Sequence, residues 1–136
     1  MTVSKIKIFK NKVIKNENGN LIKYISKKNY FFKKFGEVYF NHIKFKKKKG
    51  WIKHKKNNCL IQCVVGRIQF HFIDSKKKQR KINLDSNSGK ILLIPPKIWF
   101  SFTSLKKTSI LVNMIEKPHS DKEVLKNSDI NKILNV

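Results

Sequence analysis

Apolar and polar residues in this chain alternate with a period of two far more than with a period of 3.6, which is the mark of half-buried strands. Residues 67–73 are the strictest case. Ile68, Phe70 and Phe72 fall on one face, and Arg67, Gln69 and His71 on the other. Residues 36–45 alternate too, with Val38, Phe40 and Ile43 set among Glu37, Tyr39 and His42. Shorter strands are predicted at 6–9, 12–15, 21–25, 51–55, 59–65, 80–84, 91–94, 98–102 and 109–115. The breaks between them carry turn chemistry: Glu17-Asn18-Gly19-Asn20, Gly66, and the cluster at 85–89. Pro95-Pro96 stops the apolar run before it. Only the tail reads as helix, where Ser120-Asp121-Lys122-Glu123 has the Ser-x-x-Glu form of a capping box ahead of Val124 and Leu125. Many short strands at even spacing predict an all-β domain: a sandwich, a jelly roll or a closed barrel.

The chain has 136 residues, one domain's worth, with 40% apolar residues and ten Phe to fill a core. We expect a single domain over 1–136. The net charge of +24 raises nucleic acid as a partner. Two features argue against specific binding. Of the 32 basic residues only Arg67 and Arg80 are arginine, the residue that reads base edges and phosphates bidentately. The lysines are also spread along the whole chain, as A/T-rich codons for Lys, Asn and Ile would produce on any fold. No specific nucleic-acid partner is expected.

No apolar run approaches the roughly 20 residues of a membrane span, and the first residues lack a signal-type apolar stretch, so a cytoplasmic protein is expected. Cys59 and Cys63 lie four apart. In a strand they share a face but sit about 13 Å apart, too far for a disulfide, and read as free thiols.

Two stretches are more specific. One is Gly50-Trp51-Ile52-Lys53-His54-Lys55-Lys56, running on to Val64-Val65-Gly66. The other is Leu92-Leu93-Ile94-Pro95-Pro96-Lys97-Ile98-Trp99-Phe100-Ser101-Phe102. With Gly36-Glu37-Val38-Tyr39-Phe40 and the segment Asn113 to Ser120, they resemble the cupin superfamily, and within it proteins related to dTDP-4-dehydrorhamnose 3,5-epimerase. The resemblance covers residues 16–133. It implies a cupin-type antiparallel jelly-roll β-barrel with a short C-terminal helix, a homodimer, and a nucleotide-linked 4-keto-6-deoxy sugar bound in the barrel. It also implies a place in deoxysugar or surface-polysaccharide biosynthesis. The reaction removes a proton α to a keto group and returns it, which needs a base at carbon and a donor for the enolate.

Several positions depart from the family's pattern. Ile52 stands where the family's base is, and His54, two residues on and on the same face, is the candidate displaced base. The family's lysine falls near Cys59, its tyrosine near Val112 and its second-motif histidine at Phe100. The carboxylate that partners the base falls near Asn127, with Asp129 close by. Cys59 and Tyr39 are the candidate assistants to His54. Lys49, Trp51, Lys53, Gln62, Arg67 and Trp99 are the candidate substrate-binding residues, the cations for a diphosphate and the indoles for a ring. Ile52, His54, Cys59 and Phe100 leave one clear ligand at the positions where metal-dependent cupins bind their ion, so neither metal nor other cofactor is expected. Two functions remain open. One is a metal-free isomerase of the sugar-nucleotide epimerase type. The other is a sugar-nucleotide binding protein or partner subunit without turnover.

Overall fold

The computed structural model describes residues 1–135. After a single 3-10 turn at Val3–Lys5, eight strands follow: β1 (Lys7–Lys10), β2 (Glu37–Ile43), β3 (Lys48–His54), β4 (Cys59–Ile73), β5 (Gln79–Asp85), β6 (Lys90–Ile94), β7 (Trp99–Ile115) and β8 (Val124–Lys126). One helix, α1 (Ile130–Leu134), follows β8 among the described residues. All strands join one antiparallel sheet in the order β1-β6-β4-β7-β3-β8, with β2 on β7 and β5 on β4. The hydrogen-bonded path runs open from β1 to β8, and the sheet curls to enclose a core. Ile43, Ile68, Phe70, Phe72, Leu84, Leu92, Ile94, Phe100, Phe102 and Leu111, from five strands, meet in one apolar cluster. This is the expected all-β jelly roll.

The two longest strands each switch faces midway. On β4 the inward residues are Cys59, Ile61 and Cys63, then Ile68, Phe70 and Phe72, so the inward parity changes from odd to even. On β7, Phe100 and Phe102 point inward, then Leu111 and Ile115. A slip of one residue exchanges the faces of a strand, and bulges supply it here, at 63/65, 65/67 and 67/68. Gly66 (φ +85°) sits among them, and a Cβ there would strike the Ser109 hydroxyl. The sequence marks Gly66 as a turn and 98–102 and 109–115 as separate strands. Instead, both chains run through, because a bulge absorbs what reads locally as a break.

The tail departs from expectation as well. The capping-box segment forms a turn, with the Ser120 hydroxyl accepting from Lys122 N (3.3 Å), and Val124 opens strand β8. Residues 124–126 pair with 52–54 of β3, and this edge pairing overrides a helical local signal. The helix starts later, capped by Asp129, whose carboxylate accepts from Asn131 N at 2.9 Å. Residues 12–15 and 21–25 make only one bridge, Ile14 to Leu21. That segment lies over the outer face, where Phe31, Tyr24 and Ile25 cover Leu60, Ile91 and Met114.

Candidate functional site

β3 ends at His54 and β4 begins at Cys59, so residues 55–58 must reverse the chain at one end of the curled sheet. That loop is built around Glu123. The carboxylate accepts from Asn57 N (2.8 Å) and Lys56 N (3.4 Å), and the Glu123 carbonyl accepts from Lys55 N (2.9 Å). Asn57 locks the loop from the other side, donating to Lys117 O (3.2 Å) and accepting from Lys117 N (2.9 Å). The remaining Glu123 oxygen meets His54 Nδ1 at 2.9 Å. A carboxylate only accepts, so Nδ1 carries a proton, and in the neutral ring Nε2 then holds the free lone pair. His54 is 4% exposed, its ring lies near-parallel to Phe100 with centroids 6.3 Å apart, and Nε2 has no hydrogen-bond partner. A buried polar atom left unpaired costs about 1–3 kcal/mol.

The other two predicted catalytic residues point into the same interior. Tyr39 faces Asn113 across the β2–β7 pairing, and Asn113 Nδ2 donates to its hydroxyl at 2.8 Å. Cys59 is fully buried at the start of β4. Burial pushes the Cys59 thiol up to about 12, with the Asn113 amide opposing and the Glu123 charge adding to the rise. It is therefore a neutral thiol at physiological pH, not a nucleophilic thiolate. Burial also holds the Tyr39 phenol well above its usual range, with the Asn113 amide opposing and the Glu37 and Glu123 charges adding to the rise. Tyr39 is thus a standing proton donor. The Glu123 carboxylate that holds His54 also accepts from Asn57 N, two residues before Cys59, which sets Cys59 at the His54 end of the interior, and Asn113 and Tyr39 stand one inward pair further along β7.

The predicted substrate-binding residues are not brought together there. Ile52 and His54 face inward, so Trp51 and Lys53 face out. Trp51 packs on Ile73 and Ile133 under α1, with Lys48 Nζ 5.1 Å from its ring centre. Lys53 Nζ lies 5.0 Å above the Trp99 ring, and both line an outer cleft of about 300 Å³. Lys49 is exposed and donates to Asn41. Gln62 donates to Lys23 O (3.0 Å) and so anchors the N-terminal segment. Arg67 stands 3.4 Å from Asp85 beside the Gly66 bulge, an ion pair without hydrogen-bond alignment.

Sequence reasoning missed three features. The partner carboxylate is Glu123, not a group at Asn127 or Asp129. Asn127 instead pairs its backbone with Trp51 (2.8 and 3.0 Å), and Asp129 caps α1. Asn113 is the second miss, an amide in an apolar strand whose only signal was its inward parity. The third is a cleft of about 270 Å³ at Glu123, ringed by Lys55, Lys56, Lys117 and Lys122. Among the described residues, no three His, Cys, Asp or Glu side chains gather as metal ligands.

Comparison with known proteins places this architecture. A family model described as FdtA: WxcM-like, C-terminal matches residues 4–133. The chain belongs to this family. No curated protein matches it in sequence. Among solved structures, this FdtA, WxcM-like member is similar to a dTDP sugar isomerase from Desulfovibrio desulfuricans (TM-score 0.89, 21% identity, 98% of this chain and 90% of that one). It is similar also to the 3,4-ketoisomerase QdtA from Thermoanaerobacterium thermosaccharolyticum, solved with TDP (TM-score 0.82, 18% identity, 95% and 93% covered). A third likeness is dTDP-4-dehydrorhamnose 3,5-epimerase from Bacillus anthracis, with TDP and pyrophosphate bound (TM-score 0.85, 17% identity, 98% and 84% covered). At these identities the likeness establishes the fold alone.

Proposed function

We propose that this protein binds a nucleotide-linked 4-keto-6-deoxy sugar at the His54 end of its curled sheet, in deoxysugar biosynthesis, and moves a proton α to the keto group. The observation that carries this reading is the His54–Glu123 pair, with Nδ1 held and Nε2 bare. Nε2 is the base that takes the C–H proton, Glu123 stabilises the imidazolium that forms, and the protonated Tyr39 donates toward the developing enolate oxygen. One base serving two adjacent carbons on one face suits ketone migration from C4 to C3. Inverting C3 and C5 needs an acid facing the base across the sugar ring, and Val112 stands near the position of the tyrosine that supplies it in the epimerases. The family membership and the ligands of QdtA, which was also solved with TDP-4-keto-6-deoxyglucose, support the substrate class. The four lysines around Glu123 offer the charge to hold a diphosphate.

A second reading, binding without turnover, is favoured by Ile52 and by Phe100. They put apolar surface beside His54 where a polar ligand would lie. The test is incubation with TDP-4-keto-6-deoxyglucose, followed by NMR of the sugar. A 3-keto product supports the isomerase, epimerised C3 and C5 support the epimerase, and unchanged sugar that binds tightly supports the second reading.

The proposal includes a homodimer working in the cytoplasm, where Cys59 and Cys63 stay reduced. β2 has only β7 as a strand partner among the described residues, and its outer face exposes Phe40 (62%) and Val38 (39%). Edge strands are ordinarily guarded by lysine, yet residues 36–43 of this lysine-rich chain contain none. A second copy fits that edge. Phe40→Lys is expected to shift the protein toward monomer in sedimentation, and unchanged mass would remove β2 from the interface.

A further inference from the structure

Asn113 is the one inward amide between Leu111 and Ile115 on β7, and it is 3% exposed. Its neighbours across the sheet, Ile61 and Tyr39, belong to the apolar lining. An aliphatic residue would pack there without polar cost. The amide instead makes a specific set of contacts. Nδ2 donates to the Tyr39 hydroxyl at 2.8 Å, and the amide lies against the Cys59 thiol. Oδ1 is buried with no partner. Turning the amide over does not repair this. Tyr39 and Cys59 can each donate or accept, so the flip leaves the NH₂ end bare in place of the carbonyl. Asn113 therefore keeps one hydrogen-bonding end open in either orientation.

The second unpartnered group of this interior is His54 Nε2. Glu123 binds His54 directly and also accepts from Asn57 N, two residues before Cys59, and Cys59–Ile115 and Ile61–Asn113 are successive inward pairs of β4 and β7. The two bare groups thus belong to one end of the fold. Unsatisfied buried groups in a native protein call for a physical reason, and a ligand that supplies the missing partner is one.

We infer that Asn113 reads a ring hydroxyl of the sugar bound beside His54, with Tyr39 and Cys59 holding its amide. This rests on the sugar-nucleotide reading above and adds the group recognised. The chemistry is selective. With Oδ1 bare, the ligand must present a donor, which a diphosphate and a keto oxygen cannot do. A sugar hydroxyl donates and accepts, so it satisfies the amide in either orientation. Asn113 is a specificity residue, distinct from the base and from the lysines suited to phosphate.

The test compares two ligands on three proteins by calorimetric titration: TDP and TDP-4-keto-6-deoxyglucose on wild type, Asn113→Leu and the double variant Asn113→Leu/Tyr39→Phe. Wild type is expected to prefer the sugar nucleotide over TDP. Asn113→Leu should lose about tenfold in affinity for the sugar nucleotide while its TDP affinity stays the same. The double variant removes both polar partners, keeps the core filled and is expected to melt at or above the wild-type temperature. Unchanged affinities in a destabilised Asn113→Leu would overturn the inference, since the amide would then serve only the fold. A wild type that binds both ligands equally also overturns it and leaves the ligand class standing. Failure of the wild type to bind either ligand overturns both readings together.

Discussion

His54 Nδ1 lies 2.9 Å from Glu123 Oε2, on a carboxylate that also accepts two backbone N–H groups of the loop after β3. The loop fixes the carboxylate, the carboxylate fixes the imidazole tautomer, and the tautomer decides which nitrogen is free. Glu123→Gln keeps the shape and reverses that logic, because an amide can donate to Nδ1 and move the proton to Nε2. Proton exchange at the sugar is expected to fall at least about 10²-fold, with substrate affinity changing little. Single-turnover exchange rates and equilibrium binding, measured on the same variant, check this split.

Cys59 supplies a chemical prediction. Its thiol is fully buried and stays neutral up to about pH 12. Iodoacetamide at pH 8 is expected to leave Cys59 unmodified in the folded protein and to label it once denaturant is added. Peptide mass spectrometry reads this directly. Rapid labelling of the native protein would show that the thiol is open and ionised.

Much of the fold was legible because period-two alternation reports which faces are buried, and residues 67–73 show it without interruption. Alternation is a local signal, so it was silent on what long-range pairing decides. Gly66 reads as a turn from its neighbours alone, and only the Ser109 strand packed against it makes it a bulge. Ser120 and Glu123 have capping-box spacing, yet β3 claims Val124 as a strand partner and His54 claims the Glu123 carboxylate. The inward position of His54 followed from Gly50-Trp51-Ile52-Lys53-His54. The same alternation puts Trp51 and Lys53 on the outer face, away from His54. The candidate site was half legible: the inward position of its histidine came from a strand pattern, while its carboxylate and its amide came from chain segments distant in sequence.

Lys97 follows Pro95-Pro96, and it adopts a glycine's conformation at φ +68°. A side chain in the left-handed region is strained, and its backbone N–H is committed to His54 O at 2.7 Å, so the turn cannot relax freely. Lys97→Gly is expected to stabilise the fold by about 0.5–1 kcal/mol and to leave ligand binding unchanged. Chemical denaturation checks the sign, and a loss of stability would contradict the strain.

Asp74 ties the N-terminus to the β4–β5 loop. Its carboxylate accepts from Val3 N (3.0 Å), Lys76 N (2.9 Å) and Lys78 N (3.0 Å). Burial opposes its charge, but these backbone donors together outweigh burial and hold the carboxyl below its usual range. A depressed carboxyl contributes stability that is present above the unfolded value and is lost as pH falls through the folded one. Asp74→Ala is expected to cost about 2–3 kcal/mol at pH 7, with the gap from wild type narrowing below pH 4. Melting temperatures from pH 7 to pH 3 test this, and a gap independent of pH would remove the charge from the account.

The central claim is that His54 takes a proton from carbon. The most direct measurement is deuterium entry in D₂O at C3 of TDP-4-keto-6-deoxyglucose or at C4 of its 3-keto product, followed by NMR for wild type and His54→Asn. Wild type is predicted to incorporate deuterium, and His54→Asn to bind the sugar nucleotide with incorporation reduced to the uncatalysed rate. Exchange persisting in His54→Asn, or a wild type that binds the sugar and neither exchanges nor isomerises it, would contradict it.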